Sequence, residues 1–153
     1  MATRKAEKTA RTFHMLCAVR ATIRASADTL WSILTDAASF PKWNSTLTSI
    51  EGQIAEGQSL KVKVPSSPER AFKPKVSLVE AGRTIIWSDG MAPMFKGVRT
   101  FTLTPDSDGT TEFAMVERFS GIMLPMIEGS LPDFAPTFET YAADLTRAAE
   151  RAA

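Results

Sequence analysis

Arg99 and Glu117 are the residues whose types and spacing best suit chemistry. Each lies in a run that alternates apolar with polar residues, Phe95 to Thr104 and Thr110 to Phe119. The segment between them, Pro105-Asp106-Ser107-Asp108-Gly109, has the residues of a hairpin turn. With the turn centred on Asp108, positions equidistant from it face each other: Leu103 against Phe113, Phe101 against Met115, and Arg99 against Glu117. All six positions are odd, so their side chains share one face of the sheet. The Phe, Leu and Met among them mark that face as the inner one. An Arg–Glu pair is therefore expected on otherwise apolar ground, where either charge alone would cost several kcal/mol to bury.

Two roles are open to the pair. It could be self-satisfied and fix the strand register. Alternatively, Arg99, alone or with Glu117, could hold the polar end of a ligand whose body lies against aromatic side chains. Acid–base catalysis by the pair is the least favoured reading, because an adjacent guanidinium stabilises a carboxylate in its charged form. Tyr141 lies midway along an apolar helical stripe, where its hydroxyl could reach a ligand or a packing partner. Trp31, Trp43 and Trp87 read as core or cavity wall.

The remaining chemistry is mostly exclusion. His14 is the only histidine, and the alternation that turns Phe13 and Met15 inward turns it outward. The interior then lacks the commonest general base and the commonest neutral metal ligand. The sequence has no metal-ligand spacing, no Ser–His–Asp arrangement and no Gly-rich phosphate loop. No metal or cofactor is expected, and no catalytic residue is assigned. Cys17, the single cysteine, faces inward as a small apolar filler and has no partner for a disulfide.

These residues need elements to position them. At helical spacing, Ile127, Leu131, Phe134, Phe138, Tyr141 and Leu145 form one stripe, which predicts a helix over Pro132 to Ala149. Glu139, Thr140, Asp144, Arg147 and Glu150 fall on its opposite, solvent-facing side. Phe13 to Arg24 alternates as a long strand with one buried face. Ser26 then caps a short helix around Leu30, Trp31, Ile33 and Leu34, and a second short helix or turn follows at Ser39 to Trp43. Further strands are expected at Thr46 to Glu51, Ser59 to Val64, Phe72 to Val79 and Thr84 to Ser88, ahead of the final hairpin. Pro65-Ser66-Ser67-Pro68 reads as a loop. The methionine-rich segments Asp89 to Phe95 and Ile122 to Gly129 are expected to flank a cavity entrance, with Pro65 to Arg70 a second gate.

The order is a strand, two short helices, six strands and a long helix. With hairpin-like spacing, this argues for an α+β fold in which a seven-stranded antiparallel sheet wraps around one helix. A length of 153 residues allows one such domain, 13–153. Residues 1–12 are polar and basic, and read as a flexible tail. A 44% hydrophobic and 23% charged composition is that of a soluble globular chain. A net charge of +1 gives no reason to expect nucleic acid. The absence of a twenty-residue apolar run argues against stable membrane insertion. Without a signal-type apolar core, the cytoplasm is the expected compartment. A homodimer is compatible with these features.

Several short segments, in this order, are similar to the polyketide cyclase/dehydrase branch of the SRPBCC or START-like superfamily. They are Ile23-Arg24-Ala25-Ser26 through Trp31 and Asp36, then Phe40-Pro41-Lys42-Trp43-Asn44, Gly52, Gly57 and Ile86-Trp87. Phe95-Lys96-Gly97, Phe101, Gly109-Thr110-Thr111 and Glu117-Arg118-Phe119-Ser120-Gly121 complete the set. The resemblance implies the helix-grip fold of the START and Bet v 1 type, with an elongated cavity between a curved sheet and the C-terminal helix. Two positions depart from the pattern: Ser45 stands where proline usually follows the Trp-Asn pair, and Arg99 where relatives often carry histidine.

The expected function is binding of a small, largely hydrophobic ligand of lipid, polyketide or aromatic type. Phe101, Leu103, Phe113, Met115, Phe134, Phe138, Tyr141 and Trp87 would line its cavity, with Arg99 and Glu117 as polar contacts. The alternative is a cyclase- or dehydratase-like enzyme acting in the same cavity, chiefly by folding its substrate. A third reading is a collapsed cavity with apolar loops that bind another protein.

Overall fold

The structure, a computed structural model, describes residues 5–65, 67–127, 129 and 133–152. The chain runs β1 (Glu7–Ala10), β2 (His14–Ile23), α1 (Ala27–Thr35), a 3-10 turn at Ala37–Ser39, α2 (Phe40–Trp43), β3 (Ser49–Glu51), β4 (Lys61–Val64) and β5 (Ser67–Phe72). Then follow β6 (Lys75–Glu80), β7 (Thr84–Met91), β8 (Phe95–Pro105), β9 (Thr111–Ser120), α3 (Leu124–Ile127) and α4 (Ala135–Ala152). It is an α+β fold, with an antiparallel sheet packed on a long C-terminal helix.

The six-stranded sheet has the order β1-β2-β9-β8-β7-β6, and a smaller sheet has the order β3-β4-β5. The segment just before β4 and the start of β6 are linked by backbone hydrogen bonds. Leu60 N donates to Pro74 O at 2.8 Å, and Val76 N donates to Gln58 O at 2.8 Å. Residues 57–60 thus run along the edge of β6 and join the two sheets.

The strand count therefore exceeds the expected seven, for two reasons. Residues Ser67–Phe72 form β5, where a loop was expected over Pro65 to Pro68, and Pro74 breaks the expected strand Phe72 to Val79 before β6 begins. The second reason is β1, within the run expected to be a flexible tail. Glu7 to Ala10 pair with Ala18 to Met15 of β2, and Ala6 N donates to Glu139 on α4 at 3.0 Å. All four β1 residues are exposed, so backbone pairing, not burial, holds the strand.

β2 buries Met15, Cys17, Val19, Ala21 and Ile23 on alternate positions. Phe13, expected inward, precedes the strand and stays half-exposed. Ser26 caps α1 by accepting from Thr29 N at 3.1 Å. The long helix starts three residues later than expected. Asp133 Oδ1 accepts from Ala135 N at 3.1 Å, and Pro136 sits in the first turn, where its missing N–H costs no helical bond. Ile127 belongs to α3 rather than to the stripe, and Leu131 and Pro132 lie outside the described residues. Phe138, Tyr141, Ala142, Leu145 and Ala149 are fully buried. Each large apolar side chain buried this way contributes roughly 1.5–3 kcal/mol.

Asp144 corrects the expectation of a uniformly wet outer face. It is 4% exposed, and its Oδ2 accepts from Ser45 N at 2.8 Å and from Ser45 Oγ at 2.7 Å. Its Oδ1 accepts from Arg147. A proline at position 45 could not make the backbone bond, so the Ser45 departure coincides with a clamp between the segment after α2 and α4.

Candidate ligand-binding site

Antiparallel register sets the site out in rows. Val76, Trp87, Arg99, Glu117, Cys17 and Lys8 stand side by side on six adjacent strands. The neighbouring inner row is Ile85, Phe101, Met115 and Val19. Beyond it lie Leu103, Phe113 and Ala21. The Arg99–Glu117 row carries the charged groups, and the next two rows toward the β8–β9 turn are apolar.

In the polar row, Arg99 Nε donates to Glu117 Oε1 at 2.7 Å, and the two side chains are 18% and 13% exposed. The guanidinium stacks over two rings of α4, 5.1 Å from the Phe138 centroid and 5.9 Å from that of Tyr141. Burial by itself would ease deprotonation of Arg99. The Glu117 carboxylate, helped by Tyr141, outweighs it, and the net shift is upward, so the site holds a permanent cation. Gly97 makes room for this pair: a Cβ there would stand 3.2 Å from Glu117 Oε2. Burial pushes the Cys17 thiol up, and Asp133 adds to the effect, which keeps it protonated and inert.

Arg99 forms part of the wall of a cavity of about 370 Å³. Ser45, Thr46 and Leu47 border it after α2, and Val64 and Pro65 at the end of β4. Phe134, Pro136, Thr137 and Thr140 border it at the start of α4. Its volume falls within the range of small-molecule sites. Of the expected residues, Arg99 and Phe134 line this cavity. Glu117, Trp87, Phe138 and Tyr141 surround Arg99, while Phe101, Leu103, Phe113 and Met115 pack into the core beyond. Of the expected gates, Pro65 lines the cavity. The methionine segments do not line it; Met91, Met94, Ile122 and Met126 are exposed where Ile122 N and Met123 N bond Pro93 O and Met94 O. Glu128 lies outside the described residues.

An aromatic wall adjoins the guanidinium. Trp43 meets Tyr141 edge-on at 5.8 Å, and Trp87 meets Phe101 at 5.3 Å. Phe101 lies 5.9 Å from Tyr141, and Phe40 touches both tryptophans. Within this wall, Trp43 Nε1 and Trp87 Nε1 are buried with no hydrogen-bond partner among the described residues, and the Asn44 side chain adjoins the Tyr141 hydroxyl. Burial raises the Tyr141 hydroxyl above its ordinary range, with Arg99 and Asn44 opposing in part; the hydroxyl remains a proton donor. Asn44 and its Thr46 contacts escape prediction from sequence, although the Trp43-Asn44 segment and the unusual Ser45 mark the place. Among the described residues, no group of three His, Cys, Asp or Glu side chains could hold a metal. No helix there is long and apolar enough to cross a membrane.

The architecture has many solved counterparts. A START superfamily protein from Mycobacterium smegmatis is 20% identical, with a TM-score of 0.68 over 90% of this chain and 99% of that one. A protein from Rhodobacter sphaeroides is 19% identical, with a TM-score of 0.71 over 97% and 100%. A norcoclaurine synthase point mutant from Thalictrum, in complex with a transition-state analogue, is 16% identical, with a TM-score of 0.68 over 94% and 99%. No curated protein matches the chain by sequence. A family model described as polyketide cyclase / dehydrase and lipid transport matches residues 17–153.

Proposed function

The chain belongs to the polyketide cyclase/dehydrase and lipid-transport family, and on that premise we propose that it binds a small, largely hydrophobic molecule whose acidic end meets Arg99. The observation that carries this reading is the guanidinium itself. It is anchored through Nε on Glu117, backed by two aromatic rings, and exposed to a cavity bordered by α4 and the segment after α2. A pair needed only for register would gain nothing from a cavity beside it. The apolar body of the ligand would lie against Phe134, Leu47 and Val64, where lost water contact supplies the affinity.

Equilibrium dialysis with 2-naphthoate and with 2-isopropenylnaphthalene tests the proposal. The former should bind the protein at least about tenfold more tightly, and Arg99→Met should remove most of that preference, as expected for losing a charge-assisted bond. Failure of both probes to bind would overturn the binding function. Binding of both with no preference would leave the function and remove Arg99 from it.

A further inference from the structure

Among the described residues, the exposed large apolar side chains are Phe13, Met91, Met94, Ile122 and Met126. All five stand at one end of the six-stranded sheet, on three segments bonded to one another. Phe13 O accepts from Gly121 N at 3.1 Å, Pro93 O from Ile122 N at 3.0 Å, and Met94 O from Met123 N at 3.0 Å. Gly121 permits this approach: its φ is 136°, and a Cβ there would collide with Met94 O. The platform is packed beneath. Leu124 is buried with Met15 and Phe119, and Phe119 stacks on Phe95 at 5.8 Å and on Phe134 at 5.2 Å. Met91 and Met126 nonetheless remain 76% and 78% exposed. Single exposed apolar residues need no explanation, but a group confined to one end marks a surface that meets something.

The border of this patch is cationic. Antiparallel register sets His14, Ser120 and Lys96 side by side in the last outer row, and Leu16, Arg118 and Val98 in the row before it. Arg11 joins them through a turn in which its N–H donates to His14 O at 2.6 Å. Arg11, His14 and Arg118 border one recess of about 180 Å³, together with Thr9 and Leu16. Neither row contains a carboxylate. Asp89 lies on the inner face and accepts from Gly90 N at 2.8 Å. The ion pairs of the described residues are elsewhere, at Lys61–Glu51, Arg99–Glu117 and Arg147–Asp144.

From this we infer that this end of the domain docks on the surface of an anionic phospholipid bilayer. Ile122, Met126, Met91 and Met94 enter the boundary between headgroups and acyl chains, and Arg11, Arg118 and Lys96 meet lipid phosphates. Charge complementarity selects this occupant. A second copy seated on the same patch would bring the same cations against one another. A bilayer supplies both halves at once, an apolar layer for adaptable methionines and phosphates at its rim. The domain lies on the bilayer and does not cross it, since no helix among the described residues is long and apolar enough to do so. The inference uses no part of the cavity beside Arg99, so it stands or falls separately from the ligand.

Vesicle sedimentation with the full chain tests it. Binding to phosphatidylcholine vesicles containing one quarter phosphatidylglycerol should exceed binding to pure phosphatidylcholine by at least about tenfold, and should fall as salt is raised. Ile122→Asp and Met126→Asp, both at exposed positions, should each weaken it at least about tenfold with little change in melting temperature. Arg118→Gln should weaken it about fivefold. Met126→Trp supplies a reporter, whose emission should shift to the blue on vesicles and be quenched by brominated acyl chains; adhesion through lysines elsewhere on the surface would produce neither change. Equal binding to the two vesicle types, or binding unmoved by both aspartate variants, overturns the inference. Absence of vesicle binding also overturns it. In that case a parent dimer that Ile122→Asp dissociates, seen by sedimentation equilibrium, assigns the patch to a second copy, and a monomer assigns it to a protein partner.

Discussion

Two adjoining stretches of one inner sheet face are built on opposite rules. Toward the β8–β9 turn, Phe113, Leu103, Phe101 and Met115 are buried and pack on one another and on α4. One row along, Trp87, Arg99 and Glu117 bring a cation, a carboxylate and one unpaired indole N–H to the same face. Both stretches share the same strands, register and helix. The first stretch gains stability from dense contact. The second carries an ion pair, whose charges are stabilising only while both partners are present.

The largest effect should come from emptying the dry stretch. Phe113→Ala leaves a cavity in the best-packed region and should cost about 3–5 kcal/mol in chemical denaturation. A loss below about 1 kcal/mol would mean that this region is not the stabilising half. Next is Glu117→Leu, which leaves the Arg99 guanidinium without its carboxylate. Stability should fall by about 2–3 kcal/mol, less than for a sealed ion pair because both side chains touch solvent. Gly97→Ala is subtler: the new methyl crowds Glu117 Oε2. It should cost about 1 kcal/mol and weaken 2-naphthoate binding through the displaced carboxylate. If stability falls and binding does not, the pair does not orient Arg99.

The smallest effect at neutral pH is that of Tyr141→Phe on the ligand-free protein, within about 0.5 kcal/mol of the parent. Its signature is in alkali. The folded-state pKa of Tyr141 is raised by burial above an unfolded value of about 10. Above pH 10 the unfolded chain therefore releases a proton that the folded one retains, and stability falls as pH rises. Tyr141→Phe should flatten that limb of the curve. Parallel curves for the two proteins would show that the hydroxyl is not buried in solution.

The dry stretch was the legible one. Alternation and one turn were enough to place Phe101 opposite Met115 and Arg99 opposite Glu117, because a hairpin register is a local property. What escaped prediction depends on long separations. Asp144 looked like a solvated face because its partner, Ser45, lies 99 residues away. The orientation of the Asn44 amide became visible only with Thr46 N seen to hold its oxygen. The late helix start was readable in principle from Asp133 and Pro136. β1 was not, since a strand with four exposed residues leaves no apolar period.

That short strand has a consequence for how the protein behaves at high concentration. β2 is ten residues long, and its free side would present a row of unpaired backbone groups to any passing chain. Glu7 to Ala10 occupy the first half of that edge and replace it with a shorter one bearing Glu7 and Lys8, too brief and too charged to template another strand. Removal of residues 1–10 should therefore show itself as self-association before any loss of melting temperature, measurable by light scattering as protein concentration is raised.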